Sequence, residues 1–311
     1  MSEGVPNLPA RRRDRTARSR PADTRDLGPT ADPAPEDLVA EVTAASTPAT
    51  SARGYRGRLD WTIDLVRVLA PREVRSRYRQ SVLDIAWALI TPISVLVVYG
   101  VVLTQSFNVS GNGTPYLSMA WSGLVLWTFF AGGIGGAAVS LIYSADLITK
   151  VYFPKEAIPL SMVGASLVDL GIGLITVAVL VPLQGIPISW TIPIAVLPLL
   201  VLVVWTAALS VLVAVVAAFI RDVPHVVQLV IRVGFFATPV MYDAESLPDA
   251  LKWSATWNPV AVAIEGFRDA VLRGDVPDLA LLGVQLLVGA LLLVVAVRYT
   301  RAVESRLTDV V

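Results

Sequence analysis

Few residues of this chain are equipped for bond-making chemistry. It has no cysteine, which excludes thiol nucleophiles, disulfides and cysteine-ligated metals. His225 is the single histidine, so a His-rich metal centre is excluded and no metal site is expected. Lys150, Lys155 and Lys252 are the lysines, and none follows a GxxxxG run, so the chain carries no phosphate-cradling P-loop. Between residues 242 and 278 the carboxylates Glu245, Asp249, Glu265 and Asp269 gather beside Arg268 and Arg273. Glycosidase chemistry needs two carboxylates at a set separation across a substrate. Nothing in this spacing supplies that, so these charges are read as gate and fold elements. Asp169 and Arg232 stand inside long apolar stretches. Buried ionisable groups of that kind face a bundle interior or water, and a pair between them, joining two helices, is the expectation. A proton relay through Asp169 is the alternative. The chain is read as a non-enzyme with no catalytic residue.

The stretches that hold these residues are membrane spans. The chain has 311 residues, of which 55% are hydrophobic and 16% charged, against about 45–50% and 25% in soluble domains. No Asp, Glu, Lys or Arg occurs over 85–145, 170–220 or 279–297. A span needs about 20 apolar residues, so the first two runs each accommodate two. The sequence predicts an all-α integral membrane protein with six spans, at about 85–103, 116–143, 158–181, 192–220, 223–241 and 279–297. The charged segment 242–278, with Pro248, Pro259 and Pro277, holds an apolar patch at 259–264 too short to span. It reads as a re-entrant extracellular hairpin before the last span.

Residues 1–57 are polar, rich in Pro, Ala, Thr, Asp and Arg, and read as a disordered cytoplasmic tail. Arg11-Arg12-Arg13 precedes no apolar run and so starts no signal peptide. Residues 58–82 combine Trp61, Leu65, Leu69 and Tyr78 with Arg67, Arg72, Arg75, Arg77 and Arg79. This is the pattern of an amphipathic helix lying in the membrane interface, with Pro71 expected to split it. Residues 83–300 form the six-span domain and 301–311 a cytoplasmic C-terminal tail. The arginines of the N-terminal region, Lys150, Lys155, Arg221, Arg298, Arg301 and Arg306 fall on one side of this arrangement, and only Lys252, Arg268 and Arg273 on the other. Both termini are therefore cytoplasmic.

The loop between the second and third spans, SADLITKVYFPKE at 144–156, is too apolar to sit idle in water. Ser144 reads as the cap of a short helix that Pro154 ends. Tyr152 and Phe153 read as anchors for a partner, with Asp146, Lys150, Lys155 and Glu156 as its polar rim. The run SADLITKVYFPKEAIPLS resembles the coupling segment of ABC-2-type permeases of the polysaccharide-export group. RYRQSVL at 77–83, with Trp87 and Pro92, resembles that family's approach to its first span. IRDVPH at 220–225 with TPVMY at 238–242 resembles its fifth span. Asn258-Pro259 and Glu265-Gly266-Phe267-Arg268 resemble its extracellular hairpin. The likeness covers about residues 59–300. Asp84 departs from it, standing where members often carry Gly, and adds a charge at the cytoplasmic rim.

The resemblance implies a membrane subunit of a bacterial inner-membrane exporter of lipid-linked polysaccharide: O-antigen, teichoic acid or cell-wall galactan. It implies a homodimer with two separate ATPase subunits, which hold the ATP and magnesium, and no nucleic-acid partner. Asp146, Leu147, Ile148, Lys150, Tyr152, Phe153, Pro154, Lys155 and Glu156 would form the coupling helix seated on the ATPase. Trp61, Arg75, Arg77, Tyr78 and Arg79 would belong to the interface helix. Aromatic faces stack on sugar C–H surfaces, and Trp87, Tyr99, Phe235 and Phe236 are the first choices to line a glycan path. Gly132, Gly133, Gly135 and Gly136 permit close helix approach. A drug- or lipid-exporting ABC-2 permease is the nearest rival, and a proton-driven secondary transporter a further one. A membrane-embedded transferase lacks the residues it would need.

Overall fold

The computed structural model describes residues 57–78, 94, 115–244 and 257–310. Among them the chain forms only helices and their connections. Among the described residues, four helical segments are long and apolar enough to cross a membrane: Tyr116–Tyr143, Ala157–Leu183, Ile192–Phe219 and Leu279–Ala302. They match the second, third, fourth and sixth expected spans. The first expected span, with Asp84, Trp87 and Tyr99, lies outside the described residues except for residue 94, as do residues 1–56 and Arg79.

Helix α1 is Arg58–Tyr78. It runs unbroken through Pro71, contrary to the expected split. Pro71 is exposed, so the carbonyl it leaves unpaired one turn earlier, at the exposed Arg67, stays on the open side of the helix. Leu65 and Leu69 point inward instead. The side chains of Ala70 and Val66 press against Gly164, where a Cβ would stand 2.9 Å from that of Ala70. Glycine there brings α1 close to the helix that carries it.

That helix, α4, is Ala157–Leu183, and α2 is Tyr116–Tyr143, with the six-residue α3, Ala145–Lys150, between them. A 3₁₀ turn, Ile192–Ala195, leads into α5, Val196–Phe219. Helix α2 is the hub, packing on α4 and α5. Met119, Leu126 and Phe129 on α2 and Leu202 on α5 are fully or almost fully buried in this core.

Helix α6, Val223–Ala237, is shorter than the expected fifth span. Its 15 residues extend about 22 Å, short of a hydrocarbon core of about 30 Å. The chain leaves it at Thr238 in extended backbone, just before Pro239. No residue of α6 is buried.

Helix α7, Pro259–Arg268, continues as a π-helical turn, Asp269–Arg273, that ends at Gly274 in the left-handed region (φ 76°). Asn258 caps it. Its side-chain oxygen accepts from the Val260 amide at 3.0 Å, and its amide donates to Thr238 Oγ1 at 2.8 Å. Pro259 takes the first helical position, where no amide is needed. The apolar patch expected in the hairpin is thus a buried helix wedged against α5 and α2. The other arm, 245–256, lies outside the described residues. Helix α8, Leu279–Ala302, is capped by Asp278, which accepts from the Leu281 amide at 2.9 Å. It packs on α5 and runs five residues past the expected end, followed by α9, Glu304–Val310.

Candidate functional site

The loop from Ser144 to Glu156 has two halves with opposite roles. Leu147 and Ile148 form the buried side of α3, while Asp146, Thr149 and Lys150 are exposed. Ser144 contributes its backbone rather than a side-chain cap: its carbonyl accepts from the amides of Leu147 and Ile148, both at 3.0 Å. The helix ends at Lys150, ahead of Pro154, and the chain turns extended at Val151. Tyr152 is 69% exposed, with its ring 6.1 Å from that of Trp61 on α1. Tyr143, the last residue of α2, is 82% exposed. These two open rings put a large apolar surface at this end of the spans.

Phe153, Pro154, Lys155 and Glu156 are buried within the chain itself. They are not on the displayed face where Phe153 was expected as an anchor and Lys155 and Glu156 as rim. The cause is a set of internal bonds. Lys155 Nζ folds back to donate to the carbonyls of Ile148 (3.1 Å) and Val151 (3.4 Å), closing the end of α3. It also sits 4.4 Å from the centroid of the Phe153 ring. Burial pulls the Lys155 ammonium below the ordinary lysine range, with the Glu304 charge opposing.

Glu156 Oε1 accepts from Arg301 Nε at 2.9 Å and lies 3.9 Å from Arg58 Nε. Arg58 Nη2 donates to Glu304 Oε2 at 2.6 Å. One buried carboxylate therefore joins the foot of α4 to the start of α1 and the end of α8. This junction carried no signal in the sequence, since Glu156 stands 98 residues from Arg58 and 145 from Arg301.

The remaining interface-helix residues divide. Arg75 is exposed and donates from Nε to its own helix at the Pro71 carbonyl, 3.3 Å. Arg77 reaches α4, donating from Nη1 to Asp169 Oδ2 at 3.2 Å. Among the described residues Asp169 thus pairs with Arg77 and not with Arg232, because α1 rather than α6 lies along that side of α4. Tyr78 ends α1, and its side chain lies outside the described residues.

On the opposite end of the spans, Arg268 is fully buried and uses all its donors. Nε and Nη2 both donate to the Met119 carbonyl (3.2 and 3.0 Å), and Nη2 also to Val240 (2.6 Å). Nη1 donates to the carbonyls of Pro239 (2.9 Å) and Tyr242 (3.2 Å) and to Glu265 Oε1 (2.8 Å). Gly123 permits this approach, since a Cβ there would overlap the Val240 carbonyl and Arg268 Nη2. Arg273 binds Glu265 Oε2 (3.0 Å), Asp269 Oδ1 (2.6 Å) and Asp243 Oδ1 (2.8 Å). Burial pushes the Asp243 and Asp269 carboxyls above the ordinary aspartate range, with Arg273 opposing. Both oxygens of Glu265 are engaged by arginine, so it has none to spare as a general acid or nucleophile. The cluster is a structural lock.

Phe235 and Phe236 meet edge to face at 5.4 Å, and Phe235 meets Trp127 at 5.8 Å. Trp127 in turn meets Phe130 at 5.5 Å. This ring series links α6 to α2 along an apolar cleft of about 400 Å³, lined by Trp127, Phe130, Val226, Val230 and Gly234.

The chain matches the ABC-2 type transporter family over residues 64–272. It is 29% identical over 226 residues to an O-antigen export system permease protein RfbA of Myxococcus xanthus, covering 72% of this chain and 84% of that one. It is 28% identical over 221 residues to a protein of the same name from Klebsiella pneumoniae, covering 70% and 83%. The matched region contains the 144–156 loop, the arginine lock and every helix between α2 and α7. The chain belongs to the ABC-2 type transporter family of membrane proteins.

Proposed function

We propose that this chain is the membrane subunit of an ATP-driven exporter that moves a lipid-linked polysaccharide out of the cytoplasm. The relatives bear the name of O-antigen export permeases, which supports a glycan cargo of the O-antigen, teichoic acid or galactan kind over a drug. It works as a homodimer in the bacterial inner membrane, because a hydrated glycan needs more channel walls than one protomer supplies. Its termini face the cytoplasm. ATP and magnesium are held by two copies of a separate nucleotide-binding subunit.

The observation that carries this reading is the split inner loop. Tyr152 stands 69% exposed on a short stretch whose other half is buried. An aromatic anchor on a rigid base is what a partner needs in order to push a transmembrane domain. Asp146 and Lys150 flank it as rim charges, and Trp61 supports the ring from α1. Phe235 and Phe236 serve as sugar-stacking surfaces facing the channel. The bond from Arg77 to Asp169 favours a structural pair over a proton relay.

The test is a pull-down from the host with Tyr152→Ala and Lys150→Ala. A P-loop ATPase is expected to copurify with the wild type and to be lost from the double variant. Failure of the wild type to recover any ATPase as an intact dimer overturns the reading.

A further inference from the structure

Helix α6 carries one polar face. Arg221, just before its start, His225, Gln228 and Arg232 follow each other at spacings of four, three and four residues. At 100° per residue they fall within a stripe of about 60°. All four are exposed, and among the described residues the Arg232 guanidinium has no ion-pair or hydrogen-bond partner. The opposite side is apolar and carries Val227, Ile231 and Gly234 into the cleft beside α2. Gln228 lies over Gly135 of α2.

The stripe climbs about 16 Å from Arg221 to Arg232. With Arg221 at the cytoplasmic surface, where the export reading puts it, Arg232 stands well inside the membrane. A cation facing lipid at that depth is costly, so this face is matched to something polar and negatively charged. Bulk phospholipid headgroups stay at the surface, near Arg221. Anionic groups that must pass Arg232 are those of a cargo crossing the bilayer.

We propose that the α6 stripe is a binding track for the phosphate of the lipid-linked cargo, with Arg232 as its deepest contact. This rests on the export reading above. Arg221 and His225 receive the phosphate at the cytoplasmic end, Gln228 donates along the way, and Arg232 holds it by charge-assisted bonds. Phe236, one turn further and exposed, stands where the first sugar would follow.

The test uses the purified permease with its ATPase subunit and measures binding of undecaprenyl phosphate, undecaprenol and phosphatidylglycerol by native mass spectrometry. Hydrogen bonds to a charged group contribute about 1.5–3 kcal/mol, so wild type is expected to prefer undecaprenyl phosphate over undecaprenol by roughly tenfold or more. Arg232→Gln should bring the two within about twofold, Arg232→Lys should keep most of the preference, and Arg298→Gln on α8 should leave it unchanged.

A wild-type preference that survives Arg232→Gln overturns the proposal, as does the absence of any preference in wild type. Equal competition by phosphatidylglycerol also overturns it and makes the stripe a headgroup site. Loss of the dimer in Arg232→Gln with the preference intact overturns it in favour of a pair with a second copy. Copurification of the ATPase is scored in the same preparation, so the export reading can stand while the track fails.

Discussion

Two neighbouring aromatic residues have opposite surroundings. Tyr152 is 69% exposed and Phe153 is 0% exposed. Phe153→Ala removes a filled core position and should cost about 3–5 kcal/mol, read as a lower unfolding temperature and poor recovery from detergent. Tyr152→Ala should change stability by no more than about 0.5 kcal/mol while losing the ATPase. Thermal unfolding of the two variants beside the pull-down separates these roles, and equal destabilisation of both would refute the division. Both rings are apolar types in an apolar run, so the sequence offered them as equivalent anchors. Which of them the fold consumes is set by Lys155 turning back over Phe153 onto the Ile148 and Val151 carbonyls, a tertiary event with no local signal.

At the level of elements, the outer lock joins segments that the sequence marks individually. The TPVMY run at 238–242 and the Glu265–Arg268 run are separate motifs, yet in space the arginine of one donates to three carbonyls of the other. The positions of four spans were legible because long charge-free runs have one physical reading. The length of α6 was not, since the apolar run continues through Thr238 to Met241 after the helix has ended. The lock also makes stability depend on pH. Asp243 and Asp269 titrate above their unfolded value of 3.8, so the native state binds more protons than the unfolded one in that window. Their contribution is therefore full below about pH 4 and is lost as pH rises through the raised native values. Unfolding temperatures of wild type and Asp243→Asn/Asp269→Asn at pH 7 and pH 4.5 test this. The variant should lose the acid-side gain, and an unchanged difference between the two pH values would count against the assignment.

Across the whole molecule, Glu156 ties α4 to both α1 and α8, so on the export reading a push on the loop would be shared by all three. Glu156→Gln keeps the shape but removes the charge between Arg58 and Arg301, and should cost about 1–3 kcal/mol. On the export reading, the variant is expected to keep the ATPase subunit and that subunit's ATP turnover while the complex exports less per ATP. Parallel assays of hydrolysis and surface glycan measure that ratio, and an unchanged ratio would make the junction purely structural. The Glu156 junction also bears on how such loops can be exchanged between proteins. A graft confined to the exposed positions Asp146, Thr149, Lys150 and Tyr152 keeps the buried base, the carboxylate and its arginines, and so plugs a foreign surface into a native socket. A graft reaching past 156 imports a plug without its socket, unless the residues at 58 and 301 travel with it.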